Sequence, residues 1–344
     1  MKSASFFKHI LEFKRPGGTS RGVLHTKDTF ILEISENGKK GIGECGLFRG
    51  LSFDDVPNYE EKLQWLVENI NQNPKILEQE LKMFPSIWFG YEQAILNLKH
   101  GDNIYFPSEF TEGKDSIKIN GLIWMGNVDF MKEQIEEKLA KGFDCIKLKI
   151  GTDWNSEKEI LAELRNQFPP EKLELRVDAN GAFSFDEAKR VLKELADLEI
   201  HSIEQPIKKS EIRNTKYENS LMAQLCAATP IPIALDEELI GVVNFEDKKQ
   251  LLEIIKPQYI ILKPSLVGGF SGTDEWISIA ENLGIGWWIT SALESNIGLN
   301  AIAQYTYTKK STIPQGLGTG GLFTNNFKTQ LELNGDQLFL KKQS

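Results

Sequence analysis

Six charged residues, Lys149, Asp178, Glu204, Asp236, Lys263 and Glu294, recur at intervals of about 30 residues, the length of one strand–helix unit. Three of them, Asp178, Glu204 and Asp236, are carboxylates. If their side chains converge they cannot all stay ionised without a cation among them. No histidine joins them, since His201 reads as a packing residue three positions before Glu204. An oxygen-only donor set suits a hard divalent ion, Mg²⁺ or Mn²⁺ as its substitute, with water and substrate completing the shell. Lys149 and Lys263 would then lie on either side of that ion. The chemistry this fits is removal of a proton next to a carboxylate. Such a carbon acid is very weak, so its enediolate needs a Lewis acid and fixed positive charge. The base must be neutral near pH 7, and Lys147, two residues before Lys149, supplies an ammonium that disfavours a second charge beside it.

These residues can act together only if the chain brings them to one place. Apolar residues at 146, 148 and 150 alternate with Lys147 and Lys149, which is the period of a β-strand and puts both lysines on one face. Taken singly, Lys-x-Lys is the ordinary wet face of a half-buried strand, and each acid is an ordinary helix N-cap. Six charged strand ends in series fit neither description. From about residue 115 the texture alternates between strand and helix. Strands are expected at 117–120, 146–150, 173–178, 201–204, 231–236, 259–263, 286–290 and 313–317, each but the last followed by a helix. Ser184 and Glu187 form a capping box at one helix start. The spacing predicts a (β/α) barrel, whose strand ends meet at one mouth; a doubly wound open sheet is the alternative.

Residues 1 to about 110 read instead as α+β. Strand-like stretches at 3–13 and 22–34 are followed by an Asn37-Gly38 hairpin turn, with helices at 58–72 and 87–100. Two glycine-bearing stretches, 16–22 and 46–52, are expected to be lid loops, with Arg21 and Arg49 placed to attract a dicarboxylate.

The chain's 344 residues suffice for a large and a small domain. Its net charge of −9, with no basic block, argues against a nucleic-acid partner. Cys45, Cys145 and Cys226 are too scattered for a disulfide framework or a metal knuckle. No run approaches the ~20 apolar residues that span a bilayer, and residues 1–10 do not read as a signal peptide. A cytoplasmic protein acting on a small carboxylate, with no nucleic acid and no membrane insertion, is expected; oligomerisation stays open.

The motifs Lys147-x-Lys149, Asp178-Ala179-Asn180, Ile203-Glu204-Gln205-Pro206, Asp236-Glu237-Glu238 and Lys263-Pro264, in this order and spacing, resemble those of the enolase superfamily, in its muconate-lactonizing-type subgroup. The resemblance runs over about residues 1–335 and implies an α+β capping domain over 1–112, to which 322–344 return, and a (β/α)₇β barrel over 113–321. Within the subgroup, Asn120 to Trp124, Ser291 to Gly298 and Gly316 to Thr324 are most similar to o-succinylbenzoate synthases of menaquinone biosynthesis. That resemblance implies a lyase in which Lys149 removes the α-proton of a succinyl-bearing cyclohexadiene carboxylate. Mg²⁺ on Asp178, Glu204 and Asp236 would hold the enediolate, Lys263 would stabilise it from the other face, and loss of water would give the aromatic product.

Subgroup members that epimerise dipeptides typically carry an Asp-x-Asp pair after the last strand. Here that region reads Gln315-Gly316-Leu317-Gly318-Thr319-Gly320, with no acid to grip an α-ammonium. N-succinylamino acid racemisation and dipeptide epimerisation remain the alternatives, and a non-catalytic metal-binding barrel or a metal-free Schiff-base enzyme more remote ones. Arg176, two residues before Asp178, could touch substrate. Ser265, Ser291 and the backbone at Gly318 could bind the succinyl carboxylate, and Glu294 could pair with Lys263 to orient it.

Overall fold

The computed structural model describes residues 1–19, 22–209 and 220–341. The chain opens with a three-stranded antiparallel sheet in the order β1 (Ser3–Thr19), β2 (Gly22–Glu36) and β3 (Lys39–Cys45). The turn between β2 and β3 falls on Asn37 and Gly38, both at positive φ (52° and 73°), as a type I′ hairpin requires. Helices α1 (Tyr59–Glu68), α2 (Pro74–Leu81) and α3 (Pro85–His100) cover one face. The spacing missed α2, which has eight residues and buries only Leu77 and Leu81. Its start is marked nonetheless by Asn73, whose side chain accepts from the Lys75 N–H, and by Pro74. Helix α3 lies directly on β3 because two glycines admit it. A Cβ on Gly41 would stand 2.0 Å from the Ala94 carbonyl oxygen, and one on Gly43 2.0 Å from that of Gly90.

The first expected lid loop is not a loop up to residue 19. After a bulge between Glu12 and Gly17, β1 resumes pairing, Gly17 with Leu24 and Gly18 with Val23. Arg21 lies outside the described residues.

Strand β4 (Ser116–Lys118), expected as the first of the barrel, pairs antiparallel with a C-terminal strand instead. The barrel begins at β5 (Gly121–Ile123) and continues through α4 (Val128–Ala140), β6 (Cys145–Lys149), α5 (Trp154–Gln167), β7 (Glu174–Asp178), α6 (Phe185–Asp197) and β8 (Ser202–Glu204). Then come α7 (Leu221–Ala228), β9 (Ile233–Leu235), α8 (Phe245–Ile255), β10 (Tyr259–Leu262), the one-turn α9 (Pro264–Val267), α10 (Gly269–Asn282), β11 (Gly286–Ile289) and α11 (Asn296–Thr308). The capping box predicted at Ser184 and Glu187 starts α6. Strands β5 to β11 are parallel and adjacent in sequence order, which excludes the doubly wound sheet. The expected eighth strand is reduced to two bridges, Ile119 with Gln315 and Thr290 with Gly316, which join β11 to the approach of β5 and close the (β/α)₇β barrel.

Beyond the barrel the chain divides its contacts. Lys14 N–H donates to the Leu322 carbonyl (2.8 Å) and Thr324 N–H to that of Glu12 (2.9 Å), tying this stretch to β1. The hairpin of β12 (Leu331–Asn334) and β13 (Gln337–Leu340) then pairs with β4, and its Leu338 and Leu340 join the barrel core. Among the described residues no helix is long and apolar enough to cross a membrane.

Cap and barrel are latched by Glu92 of α3, which accepts from the N–H groups of Phe270 (2.6 Å) and Ser271 (3.1 Å) at the start of α10. Burial pushes its carboxyl up to about 7 despite those hydrogen bonds. Between its ordinary value of 4.5 and about 7 the folded state therefore keeps a proton that the unfolded chain has lost. Stability then falls as pH rises through that window. Glu92→Gln should flatten the fall, measured as urea midpoints at about pH 5 and about pH 7. An unchanged slope would contradict this role for Glu92.

Candidate active site

The barrel register sets the charged row. Lys149 lies opposite Asp178 across β6 and β7, and Asp178 opposite Glu204 across β7 and β8. Asp236 and Lys263 each follow directly on the last residue of β9 and β10. All five, with Lys147, are buried.

Each carboxylate is held by an ammonium. Lys147 Nζ donates to Glu204 Oε2 at 2.6 Å and to Asp178 Oδ2 at 3.3 Å. Lys149 Nζ donates to the same Asp178 Oδ2 at 2.9 Å and to Asn180 Oδ1 at 2.7 Å. Lys263 donates to Asp236 Oδ2 and stands 3.7 Å from Glu204 Oε1. Asn180, quoted in the sequence only as part of a motif, thus touches the expected base. Its carboxamide Nδ2 donates in turn to Glu237 Oε1 at 3.2 Å.

The electrostatics divide the three acids. Burial alone would raise Asp178, but Lys149 and Lys147 hold it well below the usual carboxylate range. Glu204 is pushed up to about 7 by burial and by the Asp178 charge, against Lys147 and Lys263. Burial also raises Asp236, against the pull of Lys263. Burial acts to lower Lys147, yet Glu204 and Asp178 raise it overall, so it is held as a cation beside Lys149.

Among the described residues no three acids, histidines or cysteines are gathered into a ready-made metal cage, and each of the three acids is paired with a lysine. The donor set nonetheless fits a hard divalent ion. It is oxygen-only, it lies on three neighbouring strand ends, and Glu204 Oε1 is buried without a hydrogen-bond donor. An ion is what such an orphaned oxygen lacks.

Above this floor lies a cavity. Its wall is Thr290, Ser291, Ala292, Gly316, Gly318 and Thr319, and its roof is Leu24, Phe48, Leu51, Leu122, Trp124 and Leu293. Leu24 comes from β2, and Phe48 and Leu51 from the second expected lid loop, so the cap closes the barrel mouth. Strand β1 crosses at the side, where a Cβ on Gly17 would stand 3.1 Å from the Trp124 ring. Lys149 Nζ is 5.9 Å from the centroid of that ring.

The remaining candidates divide. Ser291 lines the cavity, its hydroxyl 2.6 Å from that of Thr319, and Gly318 lines it beside them. Thr319 was not singled out in the sequence, although it sits in the glycine-rich run that was. Ser265 and Glu294 do not line the cavity. Ser265 Oγ donates to Glu294 Oε1 at 2.6 Å, and no ion pair joins Glu294 to Lys263 among the described residues. Arg176 faces the barrel interior one layer below Asp178, as alternation demands, and there it is out of reach of the cavity. Its guanidinium stacks 4.4 Å over Trp288, donates to Glu174 Oε1 (2.6 Å) and donates to the Pro314 carbonyl (2.9 Å). Arg49 is taken up by Asp55 (2.6 Å) and Asp28 (3.4 Å) on the surface.

Known proteins agree with this geometry. Residues 130–330 match the family model described as Enolase C-terminal domain-like. The chain is 45% identical to o-succinylbenzoate synthase from Desulfotalea psychrophila, over 97% of this chain and 98% of that protein. The crystal structure of MenC from the same organism superposes with a TM-score of 0.86 at 41% identity, covering 98% of this chain and 99% of that one. Dipeptide epimerase from Enterococcus faecalis, complexed with Mg and the dipeptide L-Leu-L-Tyr, shares the fold, with a TM-score of 0.83 at 20% identity over 99% of this chain and 98% of that one. By sequence, by fold and by the row of lysines and carboxylates at its barrel mouth, the chain belongs to the enolase superfamily.

Proposed function

We propose that the protein is a lyase that dehydrates 2-succinyl-6-hydroxy-2,4-cyclohexadiene-1-carboxylate to 2-succinylbenzoate, the o-succinylbenzoate synthase reaction. Identity of 45% along nearly the whole of a synthase supports this reading. The observation that carries it within the site is the cavity wall. Opposite the charged floor stand Asn120, Thr290, Ser291, Thr319 and glycine backbone, hydrogen-bonding groups for a carboxylate with no acid among them to pair with an α-ammonium. That distinguishes the substrate from a dipeptide.

Asp178, Glu204 and Asp236 would hold Mg²⁺, with Mn²⁺ as substitute. When bound, the ion supplies Lewis-acid stabilisation for charge developing on the substrate carboxylate. The chain's own groups do the rest. Lys149 Nζ accepts the α-proton as the C–H bond breaks. Lys263 lies across the carboxylate row from Lys149 and stabilises the electron-rich ring and carboxylate from that side. Lys147 stays charged against Glu204 and Asp178, and holds those two carboxylates in place beside Lys149. The ring C–O bond then breaks, the hydroxyl takes a proton back from Lys149 and departs as water, and the ring becomes aromatic. Leu24, Phe48, Leu51 and Trp124 keep bulk water from the site. We assign the reaction to the cytoplasm, where three buried free cysteines are at home.

Adding the enzyme to the cyclohexadiene substrate with Mg²⁺ should abolish the diene absorbance and yield 2-succinylbenzoate, and EDTA should stop it. A folded, metal-loaded enzyme that leaves the diene intact would overturn the assignment. It would shift the case to racemisation or epimerisation, read by deuterium uptake from solvent into N-succinylamino acids and dipeptides. Lys149→Ala should lower kcat by at least about a hundredfold, the scale of a lost general base, with Mg²⁺ affinity and circular dichroism retained. A wild-type rate in that variant would remove Lys149 as the base.

A further inference from the structure

The seam between cap and barrel holds a second buried charge cluster, to which the chemistry above assigns no task. Glu294, just past β11, is fully buried, and its two oxygens face different ways. Oε1 accepts from Ser265 Oγ at 2.6 Å, and Ser265 is two residues beyond Lys263. Oε2 accepts from the Ala292 N–H at 2.6 Å, and Ala292 is part of the cavity wall.

Lys27 reaches this seam from β2 of the cap. It is 6% exposed, and its Nζ has no hydrogen-bond acceptor. Two buried carboxylates, Glu44 and Glu294, stand at the same seam. Glu44 is already committed: it accepts from Thr29 Oγ1 (2.8 Å) and from the N–H groups of Ser295 and Gly298 (both 2.9 Å), holding the start of α11. Burial raises the Glu294 carboxyl, and the Lys27 charge acts against that rise. A buried ammonium without hydrogen bonds is tolerated only where such a field offsets its desolvation. The cap touches the same group again at Gly46, where a Cβ would stand 3.1 Å from both Glu294 Cγ and Ser265 Cβ. From Gly46 the chain runs straight into the loop that carries Phe48 and Leu51 to the cavity roof.

We propose that Glu294 is a positioning residue: packed against the cap at Gly46, at the seam that also buries Lys27, it fixes Lys263 through Ser265 and the cavity wall through Ala292. The seating of the cap is thereby transmitted to both the charged floor and the substrate wall. Glutamate is needed because one acid must accept at two oxygens and balance a cation. Glutamine could accept from Ser265 but could neither accept from Ala292 with its NH₂ nor balance Lys27. This role rests on the synthase reading above.

The test compares Lys27→Met, Ser265→Ala and Glu294→Gln by steady-state kinetics on the cyclohexadiene substrate with Mg²⁺, and by amide hydrogen exchange. Loss of the cap anchor should raise KM about tenfold with little change in kcat, and loss of the Ser265 arm should lower kcat about tenfold with little change in KM, since small misplacements are costly. Glu294→Gln should do both. Lys27→Met should also speed exchange at 263–266 and 291–294, barrel segments to which Lys27 does not belong. Should Glu294→Gln fail to fold, the two end variants decide the matter. Wild-type KM, kcat and exchange in both would overturn the proposal, as would losses that only track the fraction of folded protein. A wild-type enzyme without turnover would sink the synthase reading alone, and hydrogen exchange would then decide for or against Glu294.

Discussion

Burying ionised groups is the constraint on which this structure turns. Asp178, Glu204 and Asp236 are taken out of water together, and an uncompensated carboxylate there would cost several kcal/mol. The parallel strands solve the problem of placement, because their register puts Lys149, Asp178 and Glu204 in one row. Lys147, Lys149 and Lys263 solve the problem of charge. The arrangement is balanced but not satisfied: two ammoniums share Asp178 Oδ2, and Glu204 Oε1 accepts no hydrogen bond. A divalent ion among these oxygens would take over the balancing that the lysines perform, and an ammonium released from a carboxylate loses what keeps it charged. On the proposed mechanism, structure and catalysis thus draw on the same six side chains.

The layers above and below protect that balance. Beneath the row, Arg176 on Trp288, with Ala234 and Ile261, fills the barrel and keeps water from entering from below. Above it, the cap supplies apolar side chains from β2 and from the loop after β3. The cap is itself fixed by buried acids at the seam. Glu92 holds the start of α10, and Glu44 that of α11. In both, carboxylates from the cap meet free N–H groups at barrel helix starts, where the helix dipole favours negative charge.

What the sequence made legible were features with a period or a fixed spacing. The alternation around Lys147 and Lys149, the recurrence of charged strand ends and the Ser184–Glu187 capping box all depend on local geometry, and the structure has them. What it hid depends on tertiary context. Arg176 shares a face with Asp178, but period alone does not distinguish the layer at the mouth from the layer below. Ser265 and Glu294 look like site residues by position, yet they turn toward each other and the cap. Segment 117–120 reads as a strand and is one in part, but only its long-range partner β13 shows that it lies outside the barrel sheet. Stretch 16–22 looks like a loop because glycines are read as breakers, whereas Gly17 and Gly18 are there to let β1 pass close to Trp124 and Met125.

The most direct test of the central claim is to locate Mn²⁺ by anomalous scattering in crystals of the protein. The account predicts one peak within coordination distance of Asp178, Glu204 and Asp236, with at least one of the three lysines turned away from its carboxylate. A protein that binds Mn²⁺ elsewhere, or that keeps all three lysine–carboxylate contacts with no peak among them, would contradict it.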